Sequence, residues 1–134
     1  MKVSLKEAVK FHGHLGPYLV LGLRAGEMAL RKLRCNKYFG VEVKVFGAVK
    51  KPKSCFIDGL QLSTGATYGK GNIQKYNGAS VRAEFKSRIN GKKTVLRFNK
   101  SLIKQLGQAT THDECERLAR RLYGENLSKI FQTT

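Results

Sequence analysis

The chain has 134 residues and 15.0 kDa, the size of one ordinary domain. Its 41% apolar and 9% aromatic content supplies one core and excludes a wholly disordered or fibrous chain. Lys and Arg number 26 against 9 Asp and Glu, a formal charge of +17, and no apolar run approaches the ~20 residues that cross a bilayer.

In chain order, Ser4-Leu5-Lys6-Glu7 is a capping box that opens a short helix to about Phe11. No secretory signal is expected at the N-terminus, which lacks an apolar stretch. Pro17 suits the first position of a second helix to about Arg34, with Leu19, Leu23, Leu30 and Leu33 as its buried stripe and Arg24, Arg31 and Lys32 mostly off it. Gly22 and Gly26 in that helix would let another backbone pack closely. Val41, Val43 and Val45 alternate with Glu42 and Lys44, a half-buried strand ending near Val49. Ser54 is expected to cap a third helix, from Cys55 to about Ser63. Glycines then make a loop of 64–72, followed by strands at about 79–89 and 93–98, with Asn90-Gly91 signalling a type I′ hairpin. Asn99 caps a helix over Lys100–Leu106. Thr111-His112-Asp113-Glu114 is a second capping box, leading to Tyr123 with Gly124 as the C-terminal stop. A short amphipathic end carries Leu127, Ile130 and Phe131. The order implies an α+β fold: an α+β domain over residues 1–107 and a helical extension, 108–134, packed on it.

The charge is uneven. Residues 28–53 hold eight basic side chains and only Glu42 as an acid; residues 70–104 hold ten and only Glu84. Such a field attracts phosphates, nucleic acid or an acidic partner subunit, with steep salt dependence. No aromatic-interleaved single-strand motif and no helix-turn-helix with an obvious recognition helix accompany it.

Three constellations carry potential chemistry. In Phe11-His12-Gly13-His14-Leu15-Gly16-Pro17 two imidazoles stand two residues apart, and in extended backbone they would face the same way and hold a metal. The plainer alternative is a turn in which one ring bonds a carbonyl. Cys55 at a helix start would feel the positive end of the dipole, which favours thiolate, with Asp58 on the same face. The plainer alternative there is a small buried thiol. Cys115 is in register with Leu118, Ala119 and Leu122 and reads as core, while Cys35 has no evident partner. Three cysteines without a CxxC argue against a disulfide framework or a zinc finger. Gly65, Gly69-Lys70 and Gly71 fit neither a P-loop nor a dinucleotide fingerprint; they make a turn whose N–H groups and Lys70 could bind an anion.

Taken in order, His12-Gly13-His14-Leu15-x-Pro17, Cys55-x-x-Asp58-Gly59-x-Gln61 and Thr64-Gly65-x-Thr67-x-Gly69-Lys70-Gly71-Asn72 resemble the FmdE family of formylmethanofuran dehydrogenase components. The resemblance spans about Leu5 to Phe98. It implies a helix–strand–helix–three-strand core with a mixed sheet, a homodimer, and one metal site, commonly zinc. By that resemblance His12, His14 and Cys55 are the metal ligands, and Asp58, Thr64, Lys70 and Asn72 line the same pocket. Gly16 and Ala66 stand where the family usually has cysteines, and the paired CxxC ribbon of many members is missing here. Two nitrogens and one sulfur remain, the three-ligand pattern of zinc sites with an open position. The expected role is an accessory metal-binding subunit, or a stand-alone cytoplasmic relative, binding a small anionic ligand. The alternative is a basic module for nucleic acid or an acidic partner. Any enzymatic activity would be metal-assisted, and a dehydrogenase role rests on the family name alone.

Overall fold

The structure, a computed structural model, describes residues 2–134. The Ser4 box forms as read: the Glu7 N–H donates to Ser4 Oγ at 3.1 Å, starting α1, Leu5–His12. The helix ends at Gly13, whose φ of +108° suits a residue without a side chain. Pro17 then begins α2, Pro17–Leu33. Leu19, Leu23 and Leu33 are buried, whereas Leu30 is only partly so. β1, Val41–Phe46, turns its valines inward and ends at Gly47, earlier than Val49.

The next helix, α3, Cys55–Thr64, has no side-chain cap; Ser54 is itself helical in φ and ψ (−64°, −18°), so its hydroxyl makes no cap bond. β2, Ile73–Tyr76, lies outside the sequence expectation. It is four residues long with only Ile73 buried, so no alternation betrays it, and its partner is the distant β1, to which it runs parallel. β3, Arg82–Ser87, is shorter than the expected 79–89, while β4, Lys93–Phe98, has the expected bounds. The turn between them is not type I′: only Gly91 has positive φ. The Asn90 side chain accepts from Lys92 N at 2.9 Å, and Gly91 N bonds Ser87 O at 3.0 Å, making a five-residue connection.

Asn99 accepts from Leu102 N at 2.9 Å to open α4, Lys100–Gln108, and Thr111 opens α5, His112–Gly124. Gly124 is the last helical residue rather than the stop, which falls on extended Glu125. Cys115 is half-buried, its Sγ 3.4 Å from Ala109 O, rather than core. The amphipathic end resolves into a 3₁₀ turn, Leu127–Lys129, and a strand, β5, Phe131–Thr133, paired with β4.

The fold is α+β. One mixed sheet has order β2-β1-β3-β4-β5, parallel only at β1/β2. Val43, Val45, Ile73, Ala83, Phe85 and Leu96 point from it into the main core, against α2 and α3. Arg24, half-buried on α2, donates to the carbonyls of Leu122, Tyr123 and Glu125, binding the end of α5 to the core.

The α2/α3 contact positions the site. A Cβ on Gly22 would lie 2.7 Å from Gly59 Cα, and one on Gly59 would lie 2.8 Å from Gly22 Cα, so the backbones touch at these glycines. Ser63 Oγ donates to Gly22 O at 2.9 Å, and Gly26 faces Ser63 and Thr64. Since Gly22 meets Gly59 and Gly26 meets Ser63, the helices run in the same direction. Their first turns, at Pro17 and Cys55, therefore sit side by side.

Candidate metal centre

That register carries Cys55 to the segment just before Pro17, where the two histidines stand. Ligand atoms of His12, His14 and Cys55 lie within 4.8 Å of one another, and this is the cluster of potential metal donors among the described residues. The rings are 4.8 Å apart between centroids, tilted 51°. They reach this arrangement without extended backbone: Gly13 between them is left-handed, so α1 ends on His12 and the chain swings His14 back beside it.

Asp58, one turn into α3, meets His12: Nδ1 and Oδ2 are 2.6 Å apart. The His12 side chain is 10% exposed, and its Nε2 is buried without a hydrogen-bond partner. A buried ring nitrogen without a partner is costly. With Nδ1 occupied by a carboxylate, Nε2 is the atom left to face His14 and Cys55, and a carboxylate behind a ligating imidazole is the arrangement that fixes such rings in metal sites. These residues fit a transition metal.

The thiol does not behave as its helix-start position suggests. Burial pushes the Cys55 pKa up first, and the negative charge of Asp58 adds to this, outweighing Lys51. A cation in the cluster would act in the opposite direction, favouring the thiolate.

The remaining expected residues form a second group. Thr64 is nine residues after Cys55, about 13 Å along α3. Its hydroxyl donates to Leu60 O at 2.6 Å and accepts from Ala66 N at 3.1 Å. Asn72 accepts from Thr67 N at 2.9 Å and donates to Tyr38 O at 2.7 Å. Lys70 Nζ donates to Gly65 O and Thr67 Oγ1. Both Thr64 and Asn72 are buried and hold the bend together. Ala66 belongs to this bend, so of the two positions lacking a cysteine only Gly16 adjoins the donors: a Cβ there would lie 3.3 Å from His14 Cε1. A cleft of about 380 Å³ follows α1 and α3, lined by Glu7, Phe11, Gln61, Lys37 and Lys70 and by none of His12, His14, Cys55 and Asp58. A larger cleft, about 520 Å³ beside Glu27, Arg31 and Cys35, is away from the donors, and burial raises the Cys35 thiol pKa there.

An α+β domain that brings His12 and His14, at the end of α1 and just before α2, together with Cys55 at the start of α3, backed by Asp58, defines a candidate single-metal protein. Residues 11–133 match the family described as "FmdE, Molybdenum formylmethanofuran dehydrogenase operon", and the chain belongs to that family. A tungsten formylmethanofuran dehydrogenase FmdE-like protein from Syntrophus aciditrophicus has a similar fold: TM-score 0.68 at 14% identity, over 97% of this chain and 68% of that one. A protein of Archaeoglobus fulgidus named "Probable S-adenosyl-L-methionine-binding protein" is 33% identical over 76 residues, 52% of this chain and 19% of its own length. The chain thus spans about a fifth of that relative. No helix of the described residues is long and apolar enough to cross a membrane.

Proposed function

We propose that this FmdE-family chain binds one transition metal through His12, His14 and Cys55, with Asp58 orienting His12, as a homodimeric cytoplasmic accessory subunit or stand-alone relative. The observation that carries the reading is the His12 ring: Nδ1 engaged by Asp58, Nε2 buried and unpartnered. Two imidazoles and a thiolate suit zinc among the available divalent ions, and three protein ligands leave a position for an exogenous group. A zinc ion so held would act as a Lewis acid. Lys37 and Lys70 line the α1/α3 cleft against Glu7, with no carboxylate within ion-pair distance of either lysine among the described residues, and this balance of charge would favour a small anionic ligand there.

The test is elemental analysis of protein purified without added metal, beside His14→Ala and Cys55→Ala. About one equivalent per chain is expected in the parent, lost in both variants while their circular dichroism is retained. Stoichiometric metal untouched by both substitutions would reject the site.

A further inference from the structure

Among the described residues, α2 is the helix with the substantial contacts to β3 and β4, and the sheet face turned away from α2 and α3 is rich in cations. The strand registers align Tyr76, Phe46, Arg82, Arg97 and Gln132 in one row across all five strands. At ~4.8 Å per strand the row is about 19 Å long. Phe46 and Tyr76 stack at 5.1 Å with their planes 23° apart, and Tyr76 is 42% exposed. The Arg82 guanidinium lies 4.0 Å over Phe46, pairs with Glu84 at 3.1 Å, and keeps a buried Nε without a partner. Parallel to this row, Lys44 stands beside Glu84, and Lys86 lies between Glu42 and Lys93. The face therefore holds five cations against two carboxylates, one of them already paired. Among the described residues Lys44, Lys86, Lys93 and Arg97 have no carboxylate within ion-pair distance.

We infer that this face is a binding surface for a single-stranded polynucleotide. The exposed Tyr76 ring, backed by half-buried Phe46 and flanked by cations on the sheet, suits a single strand, which has unpaired base faces to stack and phosphates to meet the cations. A duplex keeps its base faces within its own stack and has no use for Tyr76. An acidic protein would be served by the cations alone. The net charge of +17 adds the long-range attraction. The row matches a few nucleotides, within the site sizes of open-sheet and barrel folds that bind single strands. No local motif announces it, because the two rings come from different strands and meet only through the parallel β1/β2 register.

Fluorescence anisotropy with a labelled oligouridine of about twelve nucleotides tests this, with an RNA duplex of equal length as competitor. The parent should bind at ~50 mM salt and the duplex should compete poorly. Tyr76→Ala should weaken binding about tenfold or more, and Arg97→Gln and Lys44→Gln should each lower the salt slope by about one. Lys6→Gln on α1, away from the face, should change affinity less than about twofold. Metal content, measured in every variant, should stay at the parent level, which keeps this result separate from that of the metal centre. Absence of binding at ~50 mM salt, equal affinity for duplex, or equal losses for Lys6→Gln and Arg97→Gln would each overturn the inference. So would a Tyr76→Ala protein that loses a homodimer while binding the strand unchanged, since the face would then belong to a second copy.

Discussion

Replacing Gly22 by alanine tests the proposition on which both the fold and the metal centre depend. In an exposed helical position the change should stabilise, because alanine is up to ~1 kcal/mol the better helix former. Here the added Cβ would sit 2.2 Å from Phe56 O and 2.7 Å from both Gly59 Cα and Leu60 N, backbone atoms that cannot rotate aside, where ordinary contacts begin near 3.4 Å. Clearing Phe56 O requires the helices to part by roughly 1.2 Å, which costs about 1–3 kcal/mol in overpacking. The hydrogen bond from Ser63 Oγ to Gly22 O then stretches, at about 1 kcal/mol. Set against the propensity gain, the net loss is about 2 kcal/mol, or a fall in Tm of about 8 °C for a chain of this size. Gly107→Ala is the matched control: also helical, exposed, with nothing within 4 Å of the new Cβ, it should gain about 0.5–1 kcal/mol. Calorimetry and urea titration in chelator measure both. Two substitutions of the same sign would refute the close-contact argument. The α2/α3 register also sets where Cys55 stands relative to His14, so Gly22→Ala should additionally weaken metal retention.

Other outcomes follow from the same geometry. Asp58→Asn, which keeps shape but removes the charge behind His12, should weaken metal binding about 10–100-fold in a chelator competition, with stoichiometry intact at high metal. Because burial and Asp58 raise the Cys55 pKa, the metal must displace a proton from a neutral thiol; affinity should rise with pH through neutrality, up to about tenfold per unit, and fall in acid. A pH-independent affinity would show that the thiol is not a ligand. Arg24→Met should cost about 2–3 kcal/mol, since it leaves the carbonyls that end α5 without their charged donor; urea denaturation measures it. Gly16→Cys should tighten metal binding and fill the open coordination position, visible as an added sulfur in X-ray absorption.

Helices with a cap and a stripe could be read from the chain alone: Ser4, Asn99 and Thr111 make the bonds their positions imply, and Gly22 and Gly26 mark the close helix contact. What could not be read depends on distant partners. β2 and β5 carry little alternation and exist because β1 and β4 offer unpaired edges. Ser54 looks like a cap in sequence but is pulled into helical geometry, with its N–H bonded to Lys50 O at 3.0 Å. The grouping of His12, His14, Cys55 and Asp58 follows from motif order, but what joins them is the parallel helix register. The same register sends Thr64, Lys70 and Asn72 to the opposite end of α3, where they hold a bend. The buried, unpartnered Nε2 has no sequence signal at all, since it arises from which ring nitrogen Asp58 reaches.

Gly16 shows how a single position separates a three-donor cluster from a closed one. Its backbone, at φ −142° and ψ 163°, is extended and open to any residue, so conformational freedom does not account for the glycine. Space bears on it only mildly: a methyl group would lie 3.3 Å from the His14 ring, which would have to give by a few tenths of an ångström. A glycine there leaves His14, exposed on its outer side, free to adjust toward His12 and Cys55. A larger side chain would either push the ring away or, if it carried sulfur, occupy the remaining corner of a tetrahedron. Room at position 16 and a missing fourth donor are thus one structural fact. It places the open side of the cluster where α2 begins, against a ring that can still move.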